Sequence, residues 1–235
     1  MRFPVQLVPA RLIRRYNRFL ADATLESSGQ EVTVHCPNPG AMLGLKEPGL
    51  RIWLEPNDDP KRKLKYGWRL VELADGTWVG IDTGVPNRVI GAALRAGQIT
   101  PLSDYQNVRA EVRYGKDSRV DFLLKQEGLP DTYVEVKNVH LLRESDWAEF
   151  PDCVTERGAK HLRVLSDMVD QGQRAVMIYL VQHMGCGRFR LADDLDPAYA
   201  AAFARARKAG VEALCYGTRI DVGSVSLGPR LPIVA

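Results

Sequence analysis

The alternation of apolar and polar residues in the first part of the chain predicts a series of short β-strands. In the segment EVTVH, Val32 and Val34 alternate with polar neighbours, as expected for a strand with one buried face. The same pattern recurs, so that strands are predicted at 31–35, 50–54, 68–73 and 77–81. The turn sequences PNPG, EPND and ADG separate them. Several short strands in so short a segment favour a small barrel over an open sheet.

The pattern changes after Asp82, where helical spacings and longer apolar runs replace the short alternating segments. Asp196 followed by proline is a typical helix start. Helices are predicted at 87–97, 154–171 and 196–210, and strands at 110–114, 119–124, 133–139, 174–182 and 211–216. This order predicts a mixed sheet flanked by helices. We therefore expect a first domain at 1–82 and a second at 83–235.

The composition is that of a soluble globular protein, with 45% hydrophobic and 26% charged residues among 235. The apolar runs are too short to cross a bilayer, and the N-terminus lacks the apolar core and cleavage site of a signal peptide. The four cysteines are scattered without a CxxC pair, which predicts free thiols. We expect a cytoplasmic protein without a membrane partner.

The charge is unevenly distributed and points to a polyanionic partner. The formal net charge is +3, and residues 1–80 carry all of this surplus, with 12 Lys and Arg against 9 Asp and Glu. Cations mixed with aromatic side chains are typical of barrels that bind nucleic acid. The candidate contacts are Arg11, Arg14, Arg15, Tyr16, Arg18, Lys61, Arg62 and Lys63. The alternative is that Phe19 and Leu20 belong to the barrel core while the cations form solvated surfaces.

The segment YVEVKNV places an acid and a base on one face of a predicted strand. Val134 and Val136 form its apolar face, whereas Glu135 and Lys137 lie on the other. In the preceding strand, Asp121 is predicted to point away from the apolar residues on either side of it. If the two strands pair, the two carboxylates converge and can hold Mg²⁺ or Mn²⁺.

This trio suits the hydrolysis of a phosphodiester. The metal would act as a Lewis acid, and Lys137 would orient water or offset negative charge in the transition state. Glu111, on the strand before, is either a third carboxylate ligand or an exposed acid. On spacing alone, a solvated strand face with a surface ion pair explains the same residues.

The segment TERGAKH opens the helix predicted after these strands. Thr155 can cap the helix, and Arg157, Lys160 and His161 can face a phosphate near the helix N-terminus. A purely structural role for Thr155 is equally compatible with the sequence. For the segment HCPN at 35–38, a structural turn is favoured over a metal site, because no second His/Cys pair is nearby.

Several segments together resemble one protein family. They are RRYNRFLAD, HCPNPGAM, KRK, SRVDF, YVEVKNV and FPDCVTERGAKHL. On these segments the chain resembles the sugar fermentation stimulation protein A family, and its Asp, loop and Glu-x-Lys order resembles the PD-(D/E)XK nuclease superfamily. The resemblance implies an α/β plus all-β protein, with an N-terminal OB-fold-like barrel followed by a restriction-endonuclease-like mixed sheet. It also implies that Asp121, Glu135 and Lys137 occupy the metal and catalytic positions.

These observations lead to two competing expectations about function. The first is a DNA-binding protein with a magnesium-dependent nuclease site, whose substrate is double-stranded DNA, single-stranded DNA or RNA. The second, which the family resemblance implies, is a non-catalytic regulator of sugar metabolism genes that uses the nuclease scaffold to hold DNA. A barrel that binds another protein fits the basic N-terminus less well.

Overall fold

The computed structural model describes residues 1–114 and 118–234. Its first sheet is built from β1 (Val8–Tyr16), β2 (Leu20–Leu25), β3 (Glu31–His35), β4 (Arg51–Pro56), β5 (Tyr66–Glu72) and β6 (Trp78–Gly80). The strand order is β3-β2-β1-β4-β5-β6. A parallel bridge between His35 and Gly67 joins β3 to β5 and closes β1 to β5 into a barrel, with β6 added beside β5. This is the strand arrangement of an OB fold.

Two of the barrel strands, β1 and β2, were not predicted. In β1, Ala10 and Leu12 face the barrel core while Arg11 faces solvent, so the strand does alternate. The many arginines in this segment suggested a solvated chain and obscured the alternation of buried and exposed positions. The hairpin between β1 and β2 turns at Asn17 and Arg18, which both have positive φ. Phe19 is 48% exposed, so its alternative assignment to the barrel core is wrong.

The described residues that follow the barrel form three helices and two further sheets. The elements are α1 (Val85–Arg95), a 3-10 turn (Thr100–Leu102), β7 (Asn107–Tyr114), β8 (Ser118–Lys125), β9 (Thr132–Val139), β10 (Leu141–Leu142), β11 (Trp147–Phe150), α2 (Glu156–Asp170), β12 (Arg174–Val181), β13 (Arg188–Leu191), α3 (Pro197–Ala209), β14 (Glu212–Asp221), β15 (Ser224–Arg230) and β16 (Ile233–Val234). The larger sheet has the order β15-β14-β12-β9-β8-β7, and the smaller one β10-β11-β13-β16.

Helices cover both faces of the larger sheet. One core packs α1 against β8, β9 and β12, and a second core packs α2 and α3 against the opposite side of β9 and β12. Strands β9, β12 and β14 run parallel, and the outer strands β7, β8 and β15 are antiparallel to their neighbours. The central strand β12 is almost entirely buried, as its continuous apolar sequence predicts.

The ends of the helices follow local capping chemistry. Helix α1 begins at Val85, two residues earlier than predicted, because Pro86 fits the first helical turn. In α2, the Thr155 hydroxyl accepts a hydrogen bond from the Gly158 backbone N–H over 3.1 Å, which confirms the predicted cap. The strands β10, β11, β13, β15 and β16 were not predicted, because they are short or lie at sheet edges.

Backbone and side-chain hydrogen bonds join the barrel to the larger sheet. The Gly80 N–H donates to the Gln182 carbonyl over 2.7 Å, at the end of β6. The Gln182 amide donates to the Asp82 carbonyl over 3.1 Å and to Asn138 Oδ1 over 2.6 Å. Because Asn138 follows Lys137 on β9, this network fixes the barrel next to the strand that carries the predicted site. Within the described residues, no helix combines the length and apolar character needed to span a membrane.

Candidate functional site

The strands that carry Asp121 and Glu135 pair as expected. Strands β8 and β9 are antiparallel, with Phe122 opposite Val134 at the end of their pairing, and Asp121 and Glu135 are the residues adjacent to that pair. The side chains of β8 change faces at Asp121. Phe122 packs beneath α1, whereas Val120 packs with Met168 of α2 on the other side of the sheet. The sequence pattern had placed Val120 and Phe122 on one face. This change of face leaves Asp121 at an irregular point of the strand.

Two hydrogen bonds hold the Asp121 carboxylate. Oδ1 accepts a bond of 2.7 Å from the Asn87 side-chain amide on α1, and Oδ2 accepts a bond of 2.7 Å from the Val136 backbone N–H. Burial and the nearby negative charge of Glu135 raise the pKa of Asp121 above its ordinary value, despite these bonds. The two acids are therefore close enough to repel each other.

The Glu135 carboxylate is buried, with 2% of the residue exposed. Its Oε1 accepts hydrogen bonds from Lys137 Nζ, over 3.0 Å, and from His161 Nδ1. Its Oε2 has no hydrogen-bond partner among the described residues. Burial raises the pKa of Glu135, but the His161 hydrogen bond and the Lys137 charge outweigh it, so that the pKa lies below its ordinary value. The result is a buried, ionised carboxylate with one oxygen available.

His161 reaches this site from α2, one turn beyond the capped end of the helix. From the sequence it was expected to lie with Arg157 and Lys160 toward a phosphate. It is instead buried, with its Nδ1 on Glu135 and 3.2 Å from Lys137 Nζ. Arg157 donates from Nε to His161 Nε2 over 3.3 Å, and its side chain, like that of Lys160, is exposed.

Two further residues near the acids were missed by sequence reasoning. Asn87 was placed only as the start of a helix, and no motif marked it as a partner of Asp121. The Tyr114 hydroxyl is buried without a hydrogen-bond partner among the described residues. Burial and, after it, the negative charges of Glu135 and Asp121 raise the pKa of Tyr114 above its ordinary value. It was predicted only as the end of a strand.

The structure does not gather Glu111 into a ligand cluster with Asp121 and Glu135. Glu111 is exposed and has a φ of 54°, between the pairs that β7 forms with β8 on either side of it. Among residues 1–114 and 118–234, no group of three or more His, Cys, Asp or Glu side chains is arranged to hold a metal. The described site therefore consists of two carboxylates, Lys137 and His161.

The predicted basic contacts of β1 are engaged within the barrel. Arg11 Nε lies 3.0 Å from Glu26 Oε1, and Arg14 Nε lies 2.9 Å from Asp22 Oδ2. Arg14 also lies over the ring of Tyr16, with 4.9 Å between the guanidinium carbon and the ring centroid. Arg15 donates to three backbone carbonyls of the adjoining loops. These contacts neutralise or occupy much of the charge that the sequence assigned to a partner.

The other predicted barrel cations lie in two loops. Arg18 is exposed in the β1–β2 loop, and the KRK segment is exposed in the β4–β5 loop. Within the described part of the chain, the ion pairs do not include Arg18, Lys61, Arg62 or Lys63. These two loops border the surface on which OB folds bind oligonucleotides and oligosaccharides. A surface pocket of about 260 Å³ adjoins the second loop, between Arg62, Lys63 and Tyr66.

The HCPN segment comprises the last residue of β3 and the start of the loop that follows this strand. Cys36 is fully buried in the barrel core, and its Sγ lies 3.6 Å from the sulfur of Met42. Asn38, also fully buried, donates to the Ile81 carbonyl over 2.9 Å. These contacts hold the start of the loop that follows β3 against the end of the barrel.

Fold and site together define a two-domain protein in which an OB-like barrel precedes a mixed α/β sheet with an acid, acid and lysine cluster. Two family models match the chain, "SfsA N-terminal OB domain" at residues 13–81 and "Sugar fermentation stimulation protein RE domain" at residues 84–224. The chain belongs to the sugar fermentation stimulation protein family. This confirms the predicted family, the OB-like barrel and the mixed-sheet second domain.

Relatives named "Sugar fermentation stimulation protein homolog" match over nearly the whole chain. The protein from Dinoroseobacter shibae is 69% identical over 99% of this chain and 96% of its own. The one from Jannaschia sp. is 64% identical over 99% of this chain and 97% of its own. A solved structure, "The structure of Pyrococcus Furiosus SfsA in complex with Ca2+", has a TM-score of 0.87 and 24% identity, with complete coverage of both chains. At that identity the likeness shows a shared fold.

Proposed function

We propose that this protein is a metal-dependent nuclease with a PD-(D/E)XK-type site, which hydrolyses phosphodiester bonds in DNA or RNA. The observation that carries the proposal is Glu135 Oε2, a buried oxygen of an ionised carboxylate without a hydrogen-bond donor among the described residues. Such an oxygen is costly to bury unless a cation satisfies it. Burial and, after it, the negative charge of Glu135 raise the pKa of Asp121, and a cation between the two acids would relieve their repulsion.

The donor set fits Mg²⁺ or Mn²⁺. Carboxylate oxygens are the ligands these ions favour, and Mg²⁺ usually binds through one or two carboxylates while it keeps several waters. Asp121 and Glu135 would be the protein ligands, and Glu111 is retained as a candidate third ligand. The Pyrococcus furiosus protein was solved in complex with Ca²⁺, another cation that prefers oxygen ligands.

The residues of the chain would divide the remaining tasks. The bound ion would supply Lewis-acid polarisation of a phosphate oxygen. Lys137, whose Nζ contacts Glu135 Oε1, would orient the attacking water and offset the negative charge that develops on the phosphate. Asn87 would hold Asp121 in place through its amide. Because the side chain of Glu135 is only 3% exposed and that of Lys137 14%, bulk water is largely excluded.

Nucleic acid would be held by cations that have no acidic partner within residues 1–114 and 118–234. Arg18 and the segment 61–63 are the barrel contacts that we favour, with Arg157 and Lys160 near the site. Arg11, Arg14, Arg15 and Tyr16 would contribute less, because their polar groups are already occupied. A protein with this activity would act in the cytoplasm, where its substrate lies.

The test is cleavage of labelled single-stranded DNA, duplex DNA and RNA with and without Mg²⁺ or Mn²⁺. We expect cutting only with metal, and its loss in Asp121→Ala and Lys137→Ala while binding in a filter assay is largely retained. Glu111→Gln tests the third ligand, because it removes a charge without changing the side-chain shape. Binding of these substrates without cutting, across both metals, would overturn the nuclease assignment.

A non-catalytic regulator of sugar metabolism genes is the second candidate. It is favoured by the small number of acids at the site, since among the described residues only two carboxylates meet there. In that case Asp121→Ala would leave both DNA affinity and gene expression unchanged. Loss of cations in the barrel loops would change both.

A further inference from the structure

His161 is in contact with charged groups on both of its ring nitrogens. Arg157 donates from Nε to Nε2 over 3.3 Å. A guanidinium has only donors, so Nε2 must be the nitrogen without a proton. The proton of the neutral ring therefore lies on Nδ1, which contacts Glu135 Oε1. The geometry thus assigns the Nδ1–H tautomer to His161.

This tautomer determines the direction of the neighbouring hydrogen bonds. Lys137 Nζ lies 3.2 Å from His161 Nδ1, but both groups carry donor hydrogens and neither can accept from the other. Lys137 therefore donates to Glu135 Oε1, over 3.0 Å. Two donors then converge on Oε1, while Oε2 has no partner in the described residues. The two oxygens of one carboxylate are made unequal.

We propose that His161 is a positioning residue that holds Oε1 of Glu135 and presents Oε2 to the divalent cation, with its tautomer set by Arg157. The part that concerns the cation rests on the proposed function. Groups that bind the ligands of a metal rather than the metal itself often fix ligand orientation in this way. Without the Nδ1–H donor, the Glu135 carboxylate is free to rotate toward Lys137 alone.

Arg157 has a second consequence in this arrangement. Its side chain is exposed on the first turn of α2, although its Nε contacts the buried ring of His161. Through His161 it therefore links the solvent side of the site, where a phosphate would approach, to the carboxylate that binds the cation. A substitution at Arg157 should alter His161 without touching either acid.

The tautomer is measured by NMR on protein labelled with ¹⁵N-histidine, without metal, from spectra in which the His161 ring carries a single proton. We expect His161 of the native chain to show a protonated Nδ1 and an unprotonated Nε2. Arg157→Ala should shift it toward the Nε2–H form. Arg163→Ala, which removes an exposed cation from the same helix, should not. An Nε2–H tautomer in the native chain, or no response to Arg157→Ala, would overturn the assignment.

The positioning role is measured as Mn²⁺ affinity by calorimetry or electron paramagnetic resonance. Loss of such a supporting group typically weakens metal binding by about 10–100-fold, which we expect for His161→Ala. His161→Asn can place an amide donor near the position of Nδ1 and should recover affinity, whereas His161→Gln should not. Thermal unfolding identifies any variant that fails to fold. If His161→Ala does not fold, the comparison of Mn²⁺ affinity between His161→Asn and His161→Gln tests the positioning role. Native Mn²⁺ affinity in folded His161→Ala, or equal affinities in the Asn and Gln variants, would refute the role.

The two proposals fail in different ways. A native chain that binds no Mn²⁺ refutes the metal-dependent nuclease and the cation part of this inference. The tautomer result still decides whether Arg157 sets the proton position on His161.

Discussion

Replacing Arg15 with alanine is expected to destabilise the fold, although the sequence suggested that this residue contacts nucleic acid. Its Nη2 donates to the backbone carbonyls of Arg18, Asn38 and Gly40, over 2.8, 2.7 and 3.0 Å. These bonds connect the β1–β2 loop to the loop that follows β3. The second loop is also held to the larger domain, because the Met42 N–H donates to Asp152 Oδ2 over 3.0 Å.

The size of the effect follows from the type of bond. A hydrogen bond to a charged group contributes about 1.5–3 kcal/mol, and a single nitrogen shared among three carbonyls cannot contribute three full bonds. Water can reach the Arg18 carbonyl, which lies in an exposed contact, but reaches the other two less easily. We therefore expect Arg15→Ala to lower the free energy of unfolding by about 2–4 kcal/mol.

The matched control is Arg14→Ala, the neighbouring arginine with an exposed side chain. Its ion pair with Asp22 is solvated, and exposed pairs contribute little to stability. The measurement is urea or thermal unfolding of both variants, together with oligonucleotide affinity under conditions where each is folded. If Arg15→Ala is as stable as Arg14→Ala but loses affinity for nucleic acid, then Arg15 is a ligand contact and the structural role is refuted.

Three further predictions follow from individual sites. Burial, with a smaller effect of the positive charge of His140, lowers the pKa of His183 to about 4, so protonation favours the unfolded chain. The free energy of unfolding should therefore be at its full value above about pH 6.5 and fall by about 3 kcal/mol as the pH drops to about 4. The measurement is unfolding as a function of pH, and His183→Gln should remove this fall. A Cβ on Gly228 would lie 2.8 Å from the carbonyl carbon of Gly217. Gly228→Ala should therefore lower the free energy of unfolding by about 1–3 kcal/mol, measured by thermal unfolding. An unchanged melting temperature would show that β14 and β15 adjust freely. Replacing the three cations of the β4–β5 loop, Lys61, Arg62 and Lys63, should reduce the slope of log affinity against log salt concentration by about 2–3. Arg11→Ala should leave this slope nearly unchanged, because Arg11 is paired with Glu26. Equal slopes in the two variants would contradict the distinction between unpaired and paired cations.

Much of the architecture could be predicted from local patterns. The strands at 31–35 and 68–73 and the three helices follow hydrophobic periods and capping residues, which depend only on neighbours in the chain. Strand β1 was missed because its alternation involves arginines, whose charge suggested a solvated segment. The small strands of the second sheet were missed because too few residues carry the pattern.

The candidate site was predictable only in part, for a similar reason. Alternation along β9 placed Glu135 and Lys137 on one face, and pairing with β8 brought Asp121 to them. Alternation shows on which face of the strand a side chain lies, but not which elements pack against that face. The sequence therefore could not distinguish a solvated Glu135–Lys137 pair from a buried one. Burial of Glu135 depends on α2, which follows it by more than twenty residues.

By itself the sequence determined the family, the two kinds of domain, and the acid, acid and lysine order on adjacent strands, because periodicity and motif spacing are local properties. Tertiary structure alone decided which groups complete the site. His161 meets Glu135 across 26 residues, and Asn87 meets Asp121 across 34. Tertiary structure also decided which arginines form ion pairs within the protein. Arg11 and Arg14 contact Glu26 and Asp22 only because of the register of β1 with its neighbours. Contacts of this kind depend on how whole elements pack, and packing is set by the complete core rather than by any one segment.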